Sequence, residues 1–213
     1  IRRPGRARRC FLSRSFWRAR TAVFYSISNC QRGLAGVSFG NFLIKQVVED
    51  ICRDLPKLNT FVTLSPVSSF ASWLARERAD DTSIALSAAD KEAFAALDTP
   101  DWWRNEETAA ALKEPLLRAA AWYFLRAKNK RGAPADAVAR FHLGNGARLE
   151  RINWLGDTSE RAMQQAHGFM VNYQYDLDDI EKNHEAFAEN RTVVASGTVQ
   201  RHLRTVELVP VVG

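Results

Sequence analysis

No acidic side chain occurs before Glu49. The first twenty residues, IRRPGRARRCFLSRSFWRAR, hold eight arginines, and the formal charge of +6 becomes −2 once those eight are set aside. The basic balance therefore belongs to one segment, and the body of the chain is mildly acidic. Arginine clusters attract phosphate backbones by counterion release, but no zinc-finger or RNP pattern accompanies these. Residues 1–20 are expected to lie outside the fold as a disordered or artefactual leader, Arg-rich and acid-poor like a transit segment. Cysteine is scarce: Cys10, Cys30 and Cys52 are widely spaced and form no CxxC pair. That excludes a zinc ribbon and a disulfide framework, and it fits a reducing compartment. Apolar runs approaching the roughly 20 residues of a membrane-spanning helix are also missing. Internal repeats are not seen.

What is present is a chain of 213 residues with 46% hydrophobic and 25% charged side chains, enough for one globular domain with a sizeable core. TAVFYSIS (Thr21–Ser28) is rich in β-branched and aromatic residues and predicts a strand. A glycine-rich stretch with Gly33, Gly36 and Gly40 follows, then FLIKQVVEDICRDL. There Ile44, Val47, Val48, Ile51 and Leu55 recur at helical spacing. After Pro56 and Asn59, TFVTL (Thr60–Leu64) predicts a second strand. A strand, turn, helix, strand unit favours two parallel or splayed strands with a helix across them. Residues 66–130 read as a helical insertion, with helices at Pro66–Arg78, Ala88–Leu97 and Trp102–Ala127. Beyond it, Ala137–Leu143 reads as a helix and Ala147–Trp154 and Gly168–Leu177 as strands, with EKNHEAFAEN either a helix or an ordered tail. The fold class is α/β (α+β), a mixed sheet with packed helices.

Three places could carry chemistry. The glycines of residues 33–41 let a backbone approach a ligand closely, and a helix N-terminus behind them offers free N–H groups to a phosphate. Their spacing matches neither the Walker A nor the dinucleotide fingerprint. His142 ends an apolar helix just before Gly144-Asn145-Gly146. Ser65 ends a strand before Pro66, where open α/β sheets place their ligands. Taken singly, the glycine stretch reads equally as a plain turn, and His142 and Ser65 read first as a packed residue and a turn residue.

Together the stretches FYSISNCQRGLAGVSFGNFLIKQVVEDI, TFVTLSPV, ARFHLGNGARLERINW and GFMVNYQYDLDDIEKNHEAF closely resemble the malonyl-CoA decarboxylase family, especially its bacterial branch. The likeness covers about residues 21–190, in the family's order. It implies a GNAT-type catalytic domain over residues 21–213, truncated at the N-terminus relative to the family, with its first strands missing. It also implies decarboxylation of malonyl-CoA to acetyl-CoA and carbon dioxide, in malonate or fatty-acid metabolism, without metal or organic cofactor. The acyl-CoA-binding stretch of the family matches Gly33 through Asn41, namely Gly33, Ala35, Gly36, Val37, Ser38, Phe39, Gly40 and Asn41. Animal members carry an acid at the position of Ser38. The family's serine, histidine and tyrosine match Ser65, His142 and Tyr175. The partner implied is the substrate alone, with a homo-oligomer for the full-length protein, a cytoplasmic location, and neither membrane nor nucleic acid.

On that resemblance His142, a ring suited to titrate near neutrality, is the expected proton donor to an enolate. Ser65 is expected to hold the malonyl carboxylate, with Tyr175 as a supporting donor. The thioester carbonyl is the electron sink, so no cofactor is needed. The alternative function is a GNAT-type acyltransferase acting on an amine. A third is an anionic-surface or nucleic-acid binder through the arginine segment.

Overall fold

The computed structural model describes residues 19–25 and 40–204, with side chains from residue 44 in the second segment. In chain order the elements are β1 (Thr21–Tyr25), α1 (Gly40–Asp54), β2 (Thr60–Pro66), α2 (Phe70–Ala79), α3 (Ala88–Ala93), α4 (Glu106–Leu125), α5 (Ala137–Gly144), β3 (Arg148–Asn153), α6 (Glu160–Ala166), β4 (Met170–Tyr175), α7 (Ile180–Asn190) and α8 (Gly197–Arg204). Short 3₁₀ turns at Phe94–Asp98 and Trp102–Arg104 link α3 to α4.

The four strands form one mixed sheet in the order β1-β2-β4-β3. β1 and β2 are parallel, with Tyr25 opposite Leu64, as the strand, helix, strand reading requires. β4 runs antiparallel to both β2 and β3. Alternation along β2 buries Phe61, Thr63 and Ser65 on one face and leaves Thr60, Val62 and Leu64 half-covered on the other. β4 follows the same rule, burying Val171, Tyr173 and Tyr175. Val23 and Tyr25 lie on the open face and are 50% and 75% exposed.

The buried face carries one continuous apolar cluster that includes Phe61, Leu149, Val171 and Tyr173 from the strands. It runs unbroken into Phe70, Trp73, Leu112, Leu116 and Phe124 of residues 66–130. The helical stretch is thus a layer of the same core. α4 supplies most of it, entered through Asn105, whose side chain accepts the Thr108 N–H at 2.9 Å. A buried-end ion pair, Arg118 Nη2 to Asp90 Oδ1 at 2.6 Å, ties α4 to α3.

Several boundaries differ from the sequence expectation for identifiable reasons. Pro66 does not open a helix: it belongs to β2, paired with Met170, and α2 begins at Phe70. The helix expected over Trp102–Ala127 is broken at Asn105, which takes an extended conformation to cap α4. EKNHEAFAEN is helical as α7. α6 and α8 had no counterpart in the sequence reading. The strand expected to Ser28 is described as far as Tyr25.

Candidate functional site

β2 places Ser65 one residue before its carboxyl end. α5 places His142 in its last turn: Asp136 starts the helix by accepting the Ala139 N–H at 2.8 Å, and Ala139, His142 and Leu143 turn inward. The helix stops where Gly146 takes φ +79°. A Cβ there would stand 2.2 Å from the Ile180 carbonyl oxygen, so only glycine lets the start of α7 close over the turn. Asn183 and His184 of α7 then bind the carbonyls of Gly146 and Gly144 at 3.2 and 2.7 Å. The glycines after His142 fix the end of its helix.

These elements bring Ser65, His142 and Tyr175 into one chain of hydrogen bonds. His142 Nε2 lies 3.2 Å from Ser65 Oγ, and His142 Nδ1 lies 2.8 Å from Tyr175 Oη. All three are buried, at 5%, 3% and 1% exposure. Tyr173 stacks on the imidazole with ring centroids 4.5 Å apart. Ser65 Oγ donates to Thr63 Oγ1 at 2.9 Å, which in turn accepts the backbone N–H of Tyr173 at 3.1 Å. Tyr173 and Thr63, on the buried faces of β4 and β2, were not singled out from the sequence. Alternation alone could have found Thr63, two residues before Ser65 on the same face.

Burial pushes the His142 pKa down to about 4. A histidine titrating near neutrality is therefore not what the site holds: the ring's partners are neutral hydroxyls, and desolvation disfavours its charged form. Burial pushes the Tyr175 hydroxyl upward, so it stays protonated and able to donate. The site at neutral pH is an uncharged row of hydroxyl, imidazole and phenol, with one ring proton to give. Such an arrangement suits hydrogen-bond donation to an oxyanion, or delivery of a proton to a strong base.

Of the expected acyl-CoA-binding residues, Gly33, Ala35, Gly36, Val37, Ser38 and Phe39 lie outside the described residues. Gly40 and Asn41 open α1. The last described residue before them, Tyr25, pairs with Leu64, the neighbour of Ser65. A hollow of about 620 Å³ lies around Trp102, Trp103, Arg104 and His167, and one of about 260 Å³ lies beside Pro66, Ser68 and the start of α6. No cluster of three or more metal-type ligands occurs among the described residues, and no described helix is long and apolar enough to cross a membrane.

The profile of the family described as "Malonyl-CoA decarboxylase C-terminal domain" matches residues 12–209. Among curated proteins, the chain is 39% identical over 197 residues to the mitochondrial malonyl-CoA decarboxylase of Anser anser anser, covering 84% of this chain and 39% of that protein. It is 36% identical over 200 residues to that of Rattus norvegicus, covering 84% and 40%. Among solved structures, the malonyl-CoA decarboxylase of Rhodopseudomonas palustris superposes with a TM-score of 0.84 at 58% identity, over 88% of this chain and 43% of that one. The Agrobacterium vitis protein gives 0.83 at 55%, over 88% and 46%. The chain thus spans about two-fifths of the length of these curated relatives and less than half of these solved chains.

Proposed function

Because the chain belongs to the malonyl-CoA decarboxylase C-terminal domain family, we propose that it carries the reaction centre of a carboxy-lyase that converts malonyl-CoA to acetyl-CoA and carbon dioxide. The observation that carries this reading is the buried row Ser65, His142, Tyr175 at the carboxyl end of β2. It lies level with the end of β1, from which the glycine-bearing residues 33–41 lead to α1. Those residues are assigned to the coenzyme A pyrophosphate, and Ser65 to the malonyl carboxylate.

The carboxylate leaves as carbon dioxide, and its bonding electrons pass into the thioester as an enolate. The substrate supplies its own electron sink, so no cofactor is assigned. A thioester enolate is far more basic than the anion of imidazole, so a neutral ring suffices as donor. His142 holds its N–H towards the enolate and delivers that proton to carbon. Tyr175 donates to Nδ1 and stabilises the ring as the proton leaves, and solvent then restores it. One proton is consumed per carbon dioxide released. A low pKa is an asset here, because a neutral donor needs no proton uptake at physiological pH.

The same reading includes a GNAT-type topology, supported by the parallel β1-α1-β2 unit followed by α5 and two antiparallel strands. It places the full-length protein as a homo-oligomer in malonate or fatty-acid metabolism of a bacterial-type cytoplasm. The higher identity to the Rhodopseudomonas and Agrobacterium proteins than to the mitochondrial ones supports the bacterial-type part of that placement. The test is to mix the chain, alone and extended to its relatives' length, with malonyl-CoA and no acceptor. Release of carbon dioxide is expected. Silence from the extended protein, or turnover only with an added amine, overturns the reading.

A further inference from the structure

A neutral imidazole has one N–H, and which nitrogen bears it decides what the ring can do. Both nitrogens of His142 face hydroxyls, which donate or accept equally well, so the pair Ser65 and Tyr175 leaves the choice open. The decision lies one bond further out. We propose that Thr63 is a positioning residue that fixes the proton of His142 on Nε2, facing Ser65.

The pairing of β2 with β4 runs in one register from Phe61–Tyr175 to Pro66–Met170 but passes over Thr63 opposite Tyr173 and Leu64 opposite Asn172. At this gap the Tyr173 N–H goes to the side-chain oxygen of Thr63, at 3.1 Å. The Thr63 carbonyl instead receives the Asn172 side-chain amide at 2.6 Å, and Asn172 is itself held by Asn153 at 2.8 Å. A backbone N–H can only donate, so it occupies one lone pair of Thr63 Oγ1, which is fully buried and keeps its second lone pair for Ser65. Ser65 Oγ donates its proton to that same oxygen at 2.9 Å. With its hydrogen turned to Thr63, Ser65 presents a lone pair to His142, and Nε2 must carry the ring proton. Nδ1 is then the acceptor for Tyr175. The local opening of the strand ladder thus aims a proton two residues away, at the position where the proposed reaction needs it. The consequence for turnover rests on that functional reading; the tautomer itself does not.

The test is a long-range ¹H–¹⁵N correlation on the full chain labelled at its four histidines, at neutral pH and without thioester, with His142 assigned by its loss in H142Q. The wild-type chain is expected to show the Nε2–H pattern, T63V and T63A the Nδ1–H pattern, and T63S the wild-type one. Signals from His167, His184 and His202 report whether each variant is folded, and T63A, which brings in no new bulk, decides if T63V is not. An Nδ1–H pattern in the wild type overturns the proposal without any variant. So does an Nε2–H pattern in a folded T63V or T63A. In the extended protein, T63V is expected to lower kcat about tenfold or more with KM little changed. Failure of malonyl-CoA turnover with the expected tautomers sinks the functional reading and leaves this one standing.

Discussion

His142 and His167 both sit at or near the end of a short helix, α5 and α6, and withdrawal from water holds each ring at a pKa of about 4. Their neighbours differ in kind. His142 has a hydroxyl at each nitrogen and a tyrosine stacked on its face. His167 ends its helix at φ +50° and is ringed by Phe70 and Trp102, with Arg78 and Asp98 exerting opposed charges on it. It also lines the larger hollow, which His142 does not. A depressed pKa is common to both rings, and the hollow lies beside the ring that has no hydroxyl partner among the described residues. What marks a proton-handling site here is the chain of exchangeable hydrogens leading from the ring, which His142 has through Ser65, Thr63 and Tyr175.

The largest effect that would break this contrast is on turnover. In the extended protein, H142Q and S65A are expected to lose about 100-fold or more in kcat. H167N, with a residue that tolerates positive φ, is expected to stay within about threefold. Equal losses in a steady-state assay would erase the distinction.

The pH dependence of folding should, by contrast, treat the two alike. Each ring falls from an unfolded value near 6.5 to about 4 in the fold. The unfolded chain therefore binds more protons between those values, and stability is lost as pH falls through that window. Linkage gives at most about 3 kcal/mol for His142, and less for the half-buried His167. Urea midpoints taken from pH 7 to 4.5 should fall, and H142Q or H167N should each flatten part of the slope. An unchanged slope in both variants would refute the shared cause.

The smallest effects lie at the helix starts. Asp136 caps α5 by accepting the Ala139 N–H at 2.8 Å, and Ser159 caps α6 by accepting the Ala162 N–H at 3.3 Å. D136A should cost about 1–2 kcal/mol and also slow turnover, because its helix carries His142. S159A should cost about 0.5–1 kcal/mol by denaturant titration and leave turnover unchanged. Loss of activity in S159A would mean that α6 serves the site after all.

Local signals carried part of this architecture in the sequence. The alternation of TFVTL and the helical spacing of residues 44–55 were enough for β2 and α1, and the turn chemistry after His142 marked the end of α5. Ser65 and His142 drew notice through their positions at element ends, whereas Tyr175 came from family resemblance alone. Its approach to His142, 33 residues away, depends on the pairing of β3 with β4 and on the packing of α5 against that pair, which no local pattern encodes. The His142 pKa was misjudged for a related reason: desolvation is set by Tyr173 and the core above it, and these are invisible until the sheet is assembled. α6 is seven residues long, too short to establish a period. α8 opens on glycine and is largely polar, so it offered little apolar spacing to read.

Thr63 and Ser65 face the core because residues alternate along β2, while Leu64 between them faces outward. The site therefore has a reading frame. Substitutions along β2 change one group at a time and can be graded, but adding or deleting a single residue between Thr60 and Thr63 puts both hydroxyls on the opposite face and offers His142 a leucine. Descendants of this chain are free to vary the outward positions of this strand, whereas its length is held by the chemistry its inward positions face.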